Sequence, residues 1–131
     1  MGEIITAGDL EFFVENRMQG TGEDGGSTMR VNAMVGPDRV ELLRIDMFRV
    51  QPHYHYDPRG KNLQYVLDPL TIDDGIGWAI GLVTRKLPQM LEKAGHPELA
   101  TPSNLAAAAG AIPEVERRWR AQGEARPAGS D

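Results

Sequence analysis

The sequence predicts an α+β fold: an antiparallel sheet of about four strands, covered on one face by a long helix and two short ones. Three observations carry that prediction. Apolar residues alternate over 28–35 and again from 40 onward, with a Gly-Pro-Asp-Arg turn signal between. Apolar residues recur at helical spacing over 75–94. Strand-like segments come first and helical ones after, which segregates helices onto one side of a sheet.

The first predicted strand is residues 10–14, LEFFV, short and rich in aromatic and branched side chains. The second is 28–35, with Met29, Val31, Ala33 and Val35 on one face and Arg30 and Asn32 on the other. The third is one long strand, 40–56, with Leu43, Ile45 and Met47 on its apolar side. A three-residue loop from Pro37 to Arg39 pairs Ala33 with Leu43 and Val31 with Ile45, which keeps both apolar sets on one face. Asp57-Pro58-Arg59-Gly60-Lys61 has the chemistry of a type I turn closed by a glycine bulge, leading into a fourth strand at 61–68.

The long helix starts at Asp73 as N-cap, with Asp74 adding negative charge, and stops at Gly95. Pro88 inside it predicts a kink or a split. Thr101-Pro102 and Ile112-Pro113 each resemble a helix start, giving two short helices at about 102–109 and 113–121. The glycine-rich segment 19–27 reads as a mobile loop, and 122–131 as a flexible tail after a single domain spanning 1–121.

Composition narrows the function classes. The chain has 131 residues, 40% hydrophobic, a net charge of −5 and no cysteine. It is long enough to bury a core. Its basic residues form no run, which argues against nucleic acid and anionic membrane partners. Thiolate zinc sites and disulfides are excluded. MGEIITAGDL has no basic-then-apolar signal pattern and no stretch reaches membrane-span length, so a soluble cytoplasmic protein is expected. Gly75, Gly77 and Gly81 lack a phosphate-loop context, and no serine stands in a Gly-x-Ser-x-Gly elbow.

The chemistry concentrates in Pro52-His53-Tyr54-His55-Tyr56-Asp57-Pro58-Arg59-Gly60. Two imidazoles at i and i+2 on a strand share a face, and with a carboxylate they make a 2-His-1-carboxylate set for a divalent metal. Asp57 is the nearest carboxylate, and Asp68 and His96 are more distant ligand candidates. In an unbroken 40–56 strand both histidines share parity with Leu43 and Ile45, so they would end the helix-covered face, beside Tyr65; a bulge at Pro52 would invert this. Without metal, His53 or His55 would act as general acid or base, Arg59 or Arg49 would hold an anion, and Tyr65 would orient it.

Two readings follow. One is a small enzyme or small-molecule-binding domain with catalytic residues His53, His55, Arg59 and Tyr65, or a metal held by His53, His55 and Asp57. The other is a non-catalytic subunit or interaction module, a homodimer or the partner of a larger protein, with structural histidines. An open sheet face bearing Phe48, Val50 and Tyr54 would be the surface such a partner covers.

Overall fold

A computed structural model describes residues 2–19 and 24–124. Its sheet has six antiparallel strands in sequential order. They are β1 (Glu3–Ala7), β2 (Leu10–Gln19), β3 (Asp24–Val35), β4 (Asp38–Phe48), β5 (His53–Tyr56) and β6 (Leu63–Val66). Two helices follow, α1 (Gly75–Lys93) and α2 (Pro102–Glu124), with a 3₁₀ turn at Pro97–Leu99 between them. No helix among the described residues is long and apolar enough to cross a membrane.

The class is as the sequence predicts, but the four-strand count is corrected twice. Residues 3–7 add an edge strand, β1, paired with β2. The predicted long strand is two strands: β4 ends at Phe48, the chain turns back, and β5 returns antiparallel along it. Asp24 stabilises that reversal. Its buried carboxylate accepts hydrogen bonds from the amides of Val50 and Gln51, both at 2.9 Å, and from Gly25 at 2.8 Å. Arg49 N donates to Gly25 O at 3.0 Å. Burial raises the Asp24 carboxyl pKa, but the Val50, Gln51 and Gly25 amides outweigh it and hold the carboxyl below its usual value.

The 19–27 loop is corrected in its second half. Residues 24–27 are buried strand, Asp24–Val35 pairing with both β2 and β4, while 20–23 lie outside the described residues. The glycines here serve close approach. A Cβ at Gly26 would collide with the Met47 carbonyl of the neighbouring strand.

The β3–β4 connection is also shorter than predicted. Val35 pairs with Asp38, leaving Gly36-Pro37 as a two-residue turn, and Gly36 takes the positive φ of +61° that a primed turn needs. A register shift beside Leu42 then sets Val31 opposite Leu43 and Met29 opposite Ile45. The apolar residues still share one face, two positions away from the predicted pairing.

That face packs under the helices. Leu10, Phe12 and Val14 of β2 and Met29 and Val31 of β3 are fully buried with Val83 of α1 and Val115 and Trp119 of α2. The N-cap of α1 is Asp74 rather than Asp73, its carboxylate accepting from Gly77 N at 3.0 Å while pairing with Arg120 of α2 at 2.8 Å. The two predicted short helices are one continuous α2, through Pro113. Leu105, Ala108, Ile112, Val115 and Trp119 keep an unbroken 3-4 spacing across that proline. An internal proline costs about 3 kcal/mol, and burying each large apolar side chain returns about 1.5–3 kcal/mol, so the stripe outweighs the break. α2 continues to Glu124, into the predicted tail, whose remainder lies outside the described residues.

Candidate functional site

The β4–β5 reversal places Asp46 directly opposite His53, and Arg44 opposite His55. Side chains of paired residues project from the same face, and residues two apart on a strand share it. His53, His55 and Asp46 therefore converge on the face away from the helices. This corrects the parity expectation, because the break at 49–52 inverts every later side chain. Thr28 of β3, the cross-strand partner of Asp46, and Arg17 of β2 complete the group.

The two Asp46 oxygens have separate partners. Oδ1 accepts a 2.6 Å hydrogen bond from Thr28 Oγ1 and lies 3.5 Å from Arg17 Nη1. Oδ2 faces both imidazoles, 3.1 Å from His53 Nε2 and 3.3 Å from His55 Nε2. The three residues are 2%, 6% and 8% exposed for Asp46, His53 and His55. The edge of the Phe48 ring closes over His53 at 5.6 Å between centroids, and Arg17 lies over Phe48.

The outer ring nitrogens fix the tautomers. His53 Nδ1 is 2.9 Å from the Gln51 carbonyl, which can only accept, so Nδ1 carries a proton. His55 Nδ1 donates likewise to the Asn62 side-chain oxygen at 2.7 Å. In the neutral ring each Nε2 then presents a lone pair to a carboxylate oxygen. Such an arrangement needs a cation between the acceptors: a proton on a ring, or a metal ion. Asp46 raises the pKa of His53 through their hydrogen bond, against burial and Arg17. Burial would raise Asp46, but His53, Thr28 and Arg17 outweigh it and keep the carboxyl below its usual value.

A metal fits these residues on three observations. One donor atom from each of Asp46, His53 and His55 lies within 4.8 Å of the others. His55 Nε2 is buried without a hydrogen bond among the described residues. Tetrahedral bonds of about 2.0–2.1 Å to nitrogen and oxygen put neighbouring ligand atoms about 3.3–3.4 Å apart. The 3.3 Å from His55 Nε2 to Oδ2 matches that edge, while the 3.1 Å from His53 Nε2 fits a hydrogen bond as well. Gln51, Asn62 and Thr28 hold the outer atoms of the three ligands, as supporting groups do around metal sites.

The other residues predicted for this site lie elsewhere. Asp57 does not reach the imidazoles. Its carboxylate accepts from Lys61 N at 2.9 Å within its own turn. That turn spans 57–62 and puts Asp57 (φ 49°) and Asn62 (φ 52°), not Gly60, in the left-handed region. Tyr56 therefore pairs with Leu63 and Tyr54 with Tyr65, one residue out of the predicted register. Tyr65 sits on the helix-covered face, stacked on Tyr54 at 5.3 Å and beneath Lys93 Nζ at 4.5 Å. In that aromatic cluster burial and the neighbouring Tyr54 and Tyr65 push the Tyr56 hydroxyl up to about 12. Arg59 reaches Glu41, 3.4 Å away. Asp68 caps its own turn at Leu70 N, and His96 pairs with Glu98 beyond α1. Asp46 is the carboxylate beside the two imidazoles that sequence reasoning missed. Its only signal was an acid inside an apolar strand, four residues from a bend at Val50.

A family model described as a domain of unknown function, DUF7700, matches residues 4–119, and the chain belongs to that family. No curated protein and no solved structure matches it.

Proposed function

We propose that this DUF7700 domain binds one divalent transition metal through His53 Nε2, His55 Nε2 and Asp46 Oδ2, in a buried site that ties β4 and β5 together. The observation that supports this reading is the convergence of two Nε2 atoms on a single carboxylate oxygen, with both Nδ1 atoms engaged by outer partners. Two imidazoles and one carboxylate without thiolate suit zinc, and also iron, nickel or copper. Burial of all three ligands supports a structural role, while three protein ligands leave the fourth tetrahedral position to a water or small ligand. Bound metal would supply a cross-link between strands that are only four residues long at β5.

A second reading keeps the histidines structural and metal-free. Arg17 beside Asp46 supports it, because one guanidinium and one carboxylate already balance. Elemental analysis of untagged protein, with melting curves before and after chelation, separates the two. The metal reading expects about one equivalent of metal per chain. It also expects a melting temperature that falls on chelation in the parent and not in a His53→Ala, His55→Ala double variant, because a ligand of the native state stabilises only that state. Metal-free protein that melts identically with chelator and with added zinc supports the second reading.

A further inference from the structure

The same sheet face carries a second, separate group of charges. Arg30 of β3 and Arg44 of β4 are direct cross-strand partners, an arrangement that is unfavourable unless a counter-charge lies between. Glu41 is that counter-charge. Its buried carboxylate takes Arg44 Nε and Nη2 at 3.0 Å each and Arg30 Nη1 at 3.2 Å, with Arg59 Nε 3.4 Å away. One buried acid thus organises three guanidiniums. A cavity of about 270 Å³ opens among Arg30, Asn32, Arg39, Glu41 and Arg59.

The lining is unbalanced in charge and in hydrogen-bonding capacity. It holds three arginines against one carboxylate; with the neighbours that pair with them, Glu15 3.0 Å from Arg30 Nε, Glu11 beside Arg39, and Arg44 on Glu41, four guanidiniums meet three acids, in a chain whose net charge is −5. The Glu41 oxygens are taken by Arg44 and Arg30. Each guanidinium has five N–H groups. Arg59 spends one direction on Glu41, and its side chain remains 75% exposed. Arg39 pairs with Glu11 at 3.3 Å on the rim. Arg30 is paired with Glu15 and Glu41, Arg39 with Glu11 and Arg59 with Glu41, so each of the three guanidiniums lining the cavity retains N–H groups beyond those its acids accept.

We infer that this cavity binds a phosphate group, held by Arg30, Arg39 and Arg59 with Asn32 as a neutral donor. Planar guanidinium forks match phosphate oxygens in pairs, and arginine is the residue suited to that recognition. Glu41 is a positioning residue: it spaces the guanidiniums and prevents their mutual repulsion from scattering them. The cavity exceeds a phosphate group, which leaves room for the organic part of a small phosphorylated molecule. The inference does not depend on a metal at Asp46.

Calorimetric titration with inorganic phosphate, at ionic strength held constant with chloride, tests it. The expected result is saturable binding at one site, weakened roughly tenfold or more by Arg59→Gln and further by adding Arg39→Gln, since hydrogen bonds to charged groups are the strong ones. Both side chains are mostly exposed, so melting temperature without phosphate should stay near the parent's. Arg59→Gln alone keeps the test valid if the double variant fails to fold. A parallel titration with glucose 6-phosphate distinguishes the source: tighter binding than inorganic phosphate assigns a phosphorylated metabolite, and equal binding assigns free phosphate. No heat beyond the chloride control, or binding unchanged in Arg59→Gln, overturns the inference.

Discussion

Replacing Asp46 with Asn keeps the shape of the side chain and removes its charge, so its effect divides between a metal-free and a metal-bound protein. In chelator, the oxygen of the introduced carboxamide can still accept from Thr28, and its NH₂ group can donate to one imidazole lone pair. What is lost is the charge that balances Arg17, whose guanidinium is partly solvated. That is smaller than the about 3–5 kcal/mol for breaking a fully buried pair; about 2 kcal/mol is expected, the cost of a charged hydrogen-bond partner. With zinc at about 100 times its Kd, the parent gains about 2.7 kcal/mol and the variant gains nothing, so the gap widens to nearly 5 kcal/mol. A chain of 131 residues shifts its melting temperature by roughly 3–4 °C per kcal/mol. The parent and Asp46→Asn should therefore differ by about 7 °C in chelator and about 17 °C with zinc. Scanning calorimetry under the two conditions reads this directly. An equal gap in both would refute a metal at Asp46.

Asp24→Ala tests the β4–β5 reversal. It removes the acceptor of the Val50, Gln51 and buried Gly25 amides, costs about 1–3 kcal/mol, and loosens the turn that aims His53, so zinc affinity should fall with stability; unchanged affinity in the variant would show the turn sets itself. The same carboxyl predicts acid sensitivity. Its folded pKa lies below the ordinary value of 3.8, so its contribution is present above about pH 4 and is lost as pH falls through the folded pKa. Acid titration should flatten this loss in Asp24→Ala, and a parent and variant with identical acid limbs would contradict the assignment.

Much of the fold was legible because it rests on local patterns. The helix at 75–94 is α1 to within a residue, since Ile76, Ala79, Ile80, Val83 and Leu87 mark one stripe. The hairpin of β3 and β4 follows from alternation and a Gly-Pro turn. What failed depended on distant partners. Nothing near Val50 in the sequence shows that Asp24 will cap its amide, so 40–56 read as unbroken, and that single error moved both histidines to the wrong face. The glycines at 25 and 26 read as flexibility, although they permit strands to approach. Pro113 read as a start, although the spacing of Ala108, Ile112, Val115 and Trp119 already continued through it. Within the site, the His-x-His pair was visible, and its carboxylate was not. Asp57 was nearest along the chain, whereas Asp46 is nearest across the sheet.

The most direct test of the central claim is a cobalt titration of chelator-treated protein, followed by visible absorption. Two imidazoles and a carboxylate in tetrahedral array predict intense ligand-field bands that saturate at one equivalent, are displaced by zinc, and do not form in the His53→Ala, His55→Ala variant. A spectrum that stays that of aqueous cobalt, or bands that persist without both histidines, would contradict a metal held by Asp46, His53 and His55.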